Sequence, residues 1–264
     1  MGTALERARE EIGDVEILDA HAHIGAMDNF HVPGAEASDL VRSMDLLQIA
    51  TAFVSPIAGM TDGELGVRLT RQAMDAFPGR IAGVPIANPN EPAGIEERLD
   101  RWCAALAARM LKIHPTIHEY PVDGPNYRPV FAFAAERGLP VLVHTWDGDP
   151  YCDPTRFDRL AAEHPRTTFI LGHGGATVPG IRRAVAVARE HPNLYLDCAC
   201  SLVYDGVVEW MAGELGVSRV LFGTDAVFLD PRPNLGRVLM ARLPAADRRR
   251  ILGENLRAIL PGAG

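Results

Sequence analysis

Two hydrophobic periods take turns along this chain. Short, nearly continuous apolar runs bounded by Pro, Gly or Asn alternate with stretches whose apolar residues recur every three or four positions. The short runs predict strands over 16–23, 51–55, 81–87, 110–114, 140–145, 167–173, 194–198 and 220–225. The stretches between them predict helices over 39–49, 62–76, 93–108, 127–137, 155–164, 179–190 and 205–215. Ile95, Leu99, Trp102 and Leu106 give the third of these helices a clear apolar stripe. Residues 4–13 read as an N-terminal helix or arm, and the chain closes with a helix capped by Pro244–Asp247 and another over 255–260. Ser38 and Thr61 are predicted helix N-caps, and Gly138 a C-terminal one.

Strand and helix alternate eight times over roughly 245 residues. Mostly apolar strands are expected where helices cover a parallel sheet. The count and length predict a (β/α)8 barrel, a fold of about 250 residues. A doubly wound sheet of the same strands is the alternative. The polar residues decide between them. His23, His114, His144, His173 and Asp225 each end a different strand. A barrel gathers those ends at one mouth, where the chemistry of this fold sits; an open sheet would spread them over too wide a front. The whole chain, 1–264, reads as one barrel domain with an arm over 1–14.

Composition narrows the function classes. With 26 basic and 34 acidic groups the net charge is −8, which disfavours nucleic acid or an anionic membrane as partner. No apolar run of about 18 residues predicts a membrane span, and the N-terminus carries no secretory pattern. Cys103, Cys152, Cys198 and Cys200 are irregularly spaced and expected as reduced thiols in a cytoplasmic protein. Cys198 and Cys200 are expected to be buried and inert rather than a second metal site.

The candidate chemistry begins in Ile17–His23. On a strand His21 and His23 face the same way, so both imidazoles can reach one ion. Taken alone, His-x-His is equally compatible with a pair of surface histidines, and His144 or His173 with a core histidine. Asp19 shares the parity of His21 and is expected to support the site from below. His31, His118, Trp146, Asp147 and Tyr204 fall in loops over the mouth and are candidate substrate contacts. Gly172–Gly175 fits neither a P-loop nor a dinucleotide fingerprint.

Five segments together resemble the amidohydrolase superfamily, in its amidohydrolase-2 branch: Asp-Ala-His-Ala-His (19–23), Lys-Ile-His-Pro (112–115), Leu-Val-His-Thr (142–145), Leu-Gly-His-Gly-Gly (171–175) and Phe-Gly-Thr-Asp (222–225). Ile251–Asn255 resembles the family's closing segment. The resemblance implies one divalent metal, zinc with manganese as the alternative, held by His21, His23, His144 and Asp225. It implies a metal-bound hydroxide that attacks an amide, ester or lactone carbonyl of a small molecule, with Asp225 moving the proton and His173 touching the water or the substrate. Lys112 is expected to bind a substrate carboxylate or polarise a carbonyl; a carboxylated lysine bridging two metals is the other role the superfamily offers it. Two further activities stay open: metal-dependent non-oxidative decarboxylation of an aromatic or vinylogous acid, which would make the enzyme a lyase, and metal-free lactonase action or simple ligand binding by the barrel. The expected partner is a small-molecule substrate, without nucleic acid or membrane, and a homodimer is left open.

Overall fold

Inner and outer residues of short parallel strands build two separate apolar layers. The computed structural model describes residues 3–262 apart from Ser201 and Val203, so Met1 and Gly2 of the predicted arm lie outside the described residues. The strands are β1 (Ile17–Ala22), β2 (Ile49–Val54), β3 (Ile81–Gly83), β4 (Leu111–Ile113), β5 (Val141–His144), β6 (Phe169–Gly172), β7 (Leu194–Asp197) and β8 (Val220–Leu221). The α-helices are α1 (Ala4–Ile12), α2 (Ala37–Leu47), α3 (Gly63–Ala76), α4 (Ile95–Leu106), α5 (Pro115–His118), α6 (Arg128–Arg137), α7 (Phe157–Glu163), α8 (Val178–Glu190), α9 (Val207–Leu215), α10 (Pro231–Leu239), α11 (Ala245–Arg249) and α12 (Asn255–Ile259).

Parallel ladders join β1-β2-β3 and β4-β5-β6-β7-β8. Backbone hydrogen bonds span both gaps between these sheets. Lys112 N donates to Pro85 O at 3.0 Å and Ala87 N to Lys112 O at 3.0 Å on one side. Ala20 N donates to Phe222 O at 3.0 Å and Asp225 N to His21 O at 2.8 Å on the other. The architecture is the predicted (β/α)8 barrel. Leu18, Ala20, Phe53, Met110, Leu142, Ile170 and Leu221 fill its interior, where Leu256 and Leu260 join them. Val141, Val143, Phe169, Leu171 and Leu196 face outward into the larger core shared with the helices. Successive side chains of β5 and β6 thus point to opposite faces, as a strand requires.

β1 departs from that alternation, and the departure positions the site. Leu18 and Ala20 belong to the inner layer, so an unbroken strand would turn His21 outward. The register against β2 shifts between Asp19 and Ala22, and His21 and His23 beyond the shift also face the barrel axis. Such irregularities commonly re-aim side chains next to active sites. Asp19 secures the bend: its carboxylate accepts His21 N and Thr224 N, both at 3.0 Å, tying β1 to the segment after β8.

Local boundaries differ from the sequence expectation where side chains compete for caps. Glu36, not Ser38, precedes α2, and Asp62, not Thr61, caps α3 by accepting Leu65 N. Gln48 ends α2 in the left-handed region, which releases Ile49 into β2. Helix α10 was not predicted. Its Pro231 and Pro233 suggest a loop, yet Pro is tolerated in a first turn, where the backbone N–H lacks a partner, and Asp230 caps it.

Candidate metal centre and active site

The ends of β1 and β8 supply a converging set of donor atoms. One ligand atom from each of His21, His23 and Asp225 falls within 4.8 Å of the other two, and all three residues are buried. Asp225 Oδ1 lies 3.3 Å from His23 Nε2 and 3.8 Å from His21 Nε2. Donors about 2.1 Å from a common tetrahedral ion stand about 3.4 Å apart, so the spacing suits one metal. The far nitrogens are committed elsewhere. His21 Nδ1 donates to Asp197 Oδ2 at 2.8 Å, and His23 Nδ1 donates to Ser55 O at 2.8 Å. Both Nε2 lone pairs therefore face inward, the tautomer a metal requires.

Asp197, at the end of β7, escaped the sequence reading. Its Oδ1 accepts His173 N at 2.7 Å and Ala199 N at 3.0 Å, while Oδ2 holds His21. One carboxylate thus orients two histidines. Burial pushes its pKa up to about 6, against the lowering effect of His173, its backbone donors and Lys112. The available signal was positional: Asp197 ends a predicted strand, as His144 and Asp225 do.

His144 does not join the three-donor group. Its Nδ1 faces His173 Nε2 at 3.0 Å. His173 Nδ1 donates to Ala199 O, so its Nε2 carries a lone pair and accepts from His144 Nδ1–H. His144 Nε2 is left with the free lone pair. His114 stacks on His144 with ring centroids 4.1 Å apart, and its Nδ1 accepts Ile117 N. His173 and Asp225 adopt φ of 64° and 59°, rare for residues with a Cβ, and these turns aim the two side chains at the centre.

Lys112 is fully buried on β4, with Nζ 3.0 Å from His21 Nε2. Burial lowers its pKa to about 8, opposed by Asp197 and Asp225. Burial also holds His21, His114 and His144 well below the usual imidazole range, reinforced by the positive charge of Lys112. For Asp225 burial works to raise the pKa, yet the neighbouring His23 and His173 and the Lys112 ammonium hold it below the ordinary carboxylate value.

Aromatic rings flank these groups. Trp146 lies parallel to His144 at 6.1 Å and edge-on to His173 at 6.0 Å. Phe228 stacks on His23 at 5.0 Å and is itself covered by Phe30. Other candidates have structural duties. His118 is buried between Tyr127 Oη and Met60 O, and Asp147 accepts Thr177 Oγ1 and pairs with Arg183. His31 borders an outer cavity with Arg42 and Phe228, and Tyr204 a separate one with Trp210. Cys198 and Cys200 are buried, and burial pushes the Cys198 thiol up to about 12, which suits an inert thiol.

Comparison with known proteins agrees with the barrel fold. The family model described as amidohydrolase matches residues 18–262. No curated protein sequence matches the chain. Among solved structures, a 5-carboxyvanillate decarboxylase from Sphingomonas paucimobilis superposes with a TM-score of 0.72 at 17% identity, covering 93% of this chain and 99% of that one. A 4-oxalomesaconate hydratase from Rhodopseudomonas palustris gives 0.69 at 14% identity, covering 93% and 95%. A dihydroxybenzoic acid decarboxylase from Polaromonas sp. JS666, solved with manganese and the inhibitor 2-nitroresorcinol, gives 0.72 at 16% identity, covering 93% and 97%. At these identities the structures establish the barrel fold. Among the described residues no helix is long and apolar enough to cross a membrane.

Proposed function

The chain belongs to the amidohydrolase family, and from that premise we propose that it is a metal-dependent hydrolase of small molecules, acting on an amide, ester or lactone carbonyl. The observation that carries this reading is the convergence of His21 Nε2, His23 Nε2 and Asp225 Oδ1 with both imidazoles locked in the metal-binding tautomer. These residues would hold one divalent ion, zinc or manganese, and His144 with its free Nε2 is the fourth candidate. A bound divalent ion brings the pKa of a water toward 7 and polarises a carbonyl.

The protein's own groups supply the proton path. Asp225 is held below the usual carboxylate pKa and is charged at neutral pH, so a carboxylate oxygen accepts the proton of the attacking water and returns it to the leaving group. His144 Nδ1–H is committed to His173 Nε2 and His173 Nδ1–H to Ala199 O, so the pair's one open group is the His144 Nε2 lone pair, which can accept a proton or a hydrogen bond from the substrate or bind the ion. Lys112 adds a buried positive charge that favours an anionic substrate. Trp146 and Phe228 limit water around the reacting carbonyl.

A second reading, non-oxidative decarboxylation, draws on the same aromatic rings and on Lys112, which suit a flat unsaturated carboxylate. It would require Asp225 or His173 to deliver a proton to carbon. The lowered pKa of Asp225 makes it a better resting base than a resting acid, which favours hydrolysis. Metal-loaded protein offered lactones, esters and amides beside aromatic acids with and without their carboxylates separates the two. Hydrolysis without CO2 release is expected; CO2 release dependent on the substrate carboxylate would replace hydrolysis by decarboxylation.

A further inference from the structure

The placement of Lys112 conflicts with simple metal binding. His21 Nδ1–H is committed to Asp197 Oδ2, so the ring's lone pair is on Nε2. Lys112 Nζ lies 3.0 Å from that atom, and the ammonium has no acceptor of its own, so the lysine donates into the lone pair. A metal needs the same lone pair at about 2.0–2.1 Å. An ion on the Nε2–Nζ line would stand about 1 Å from the lysine nitrogen, a distance no non-bonded pair tolerates. The two cations therefore cannot share His21 Nε2 in this arrangement. Lys112 is also fully buried, and its backbone is pinned by Pro85 O and Ala87 N, so only the side chain is free to move.

We propose that Lys112 is the resident cation of the centre: it occupies His21 Nε2 when no metal is bound, offsets part of the negative charge of Asp197 and Asp225, and sets the metal affinity by having to be displaced. This rests on the reading of His21, His23 and Asp225 as the metal site. A metal ion entering this centre both gains donors and breaks one charge-assisted hydrogen bond. The lysine is thus a determinant of metal affinity, separate from any contact it makes with substrate.

The test is metal binding itself. Chelator-stripped wild type, Lys112→Met and Lys112→Gln, all full-length, are titrated with Zn²⁺ and with Mn²⁺ in competition with a fluorescent chelator. Both replacements are uncharged and close to lysine in length, and circular dichroism with thermal melting checks the fold. The proposal expects the variants to bind at least about tenfold more tightly than wild type, the scale of one charge-assisted hydrogen bond. Equal or weaker binding in the variants, with metal bound by wild type, overturns the proposal and leaves the metal site standing; weaker binding would make Lys112 a contributor to coordination. If neither wild type nor variants bind either ion, the metal site itself is refuted and the competition with it. Should both variants fail to fold, crystal structures of wild type with and without Zn²⁺ decide: Nζ leaves His21 Nε2 on loading, or its retention there refutes displacement.

Discussion

Replacing Asp197 with Asn examines the centre through a residue that would touch neither metal nor substrate. The carboxylate makes three hydrogen bonds: Oδ1 takes His173 N at 2.7 Å and Ala199 N at 3.0 Å, and Oδ2 takes His21 Nδ1–H at 2.8 Å. An asparagine amide has one acceptor oxygen and one donor nitrogen. Turning the nitrogen toward the two backbone N–H groups would set donor against donor twice, so the oxygen stays there and the NH2 faces His21. His21 must then accept at Nδ1, which moves its proton to Nε2, the atom that a metal needs. The loss is one charge-assisted hydrogen bond, about 1.5–3 kcal/mol, together with the wrong tautomer. Metal affinity should fall about 10- to 100-fold, as is usual for partners of a ligating histidine. The fold should survive, since the backbone bonds remain and a buried charge disappears. Chelator competition with Zn²⁺ measures the affinity directly. An affinity within about twofold of wild type, in a folded variant, would refute the argument that Asp197 fixes the His21 tautomer.

Three further outcomes are expected. Asp225→Asn should lower kcat about 10²- to 10⁴-fold, the usual contribution of a general base, with its melting temperature near that of wild type; retained kcat would remove Asp225 from the proton path. His118, whose pKa burial lowers, binds a proton more readily in the unfolded chain, so stability contributed by its neutral form is lost as pH falls below about 6.5, at up to about 1.4 kcal/mol per pH unit. Thermal melts of wild type and His118→Gln from pH 7 to 5 should show the shallower slope in the variant; parallel slopes would contradict it. Gly66→Ala would set a Cβ 2.5 Å from the Gly59 Cα, backbone against backbone, and should cost about 1–3 kcal/mol in denaturant unfolding.

The strand-end histidines were legible because two simple periodicities suffice to find them. Apolar runs locate strands, and a parallel barrel brings the C-terminal ends of those runs together, so His23, His144, His173 and Asp225 could be gathered without coordinates. Side-chain direction was less legible. Alternation alone puts Ala20 and His21 on opposite faces, and the register shift in β1 that turns both inward leaves no mark in the residue pattern. Asp197 shares with the histidines only its position near a strand end, and its duty shows only in the three-dimensional contact with His21. His144 was grouped with the ligands by resemblance, while the geometry gives its Nδ1 to His173. The contact between Lys112 and His21 joins residues 91 positions apart, and no local signal announces it. Helix α10 was hidden by its two prolines, which discourage a helix everywhere except the first turn they occupy.

The proposed chemistry depends on a metal site built on His21, His23 and Asp225. Elemental analysis by mass spectrometry of wild type and of the His21→Ala, His23→Ala double variant, each loaded with Zn²⁺ and passed through a desalting column, tests it most directly. About one ion per wild-type chain and none in the variant is expected. Stoichiometric metal in the variant, or none in wild type, would contradict it.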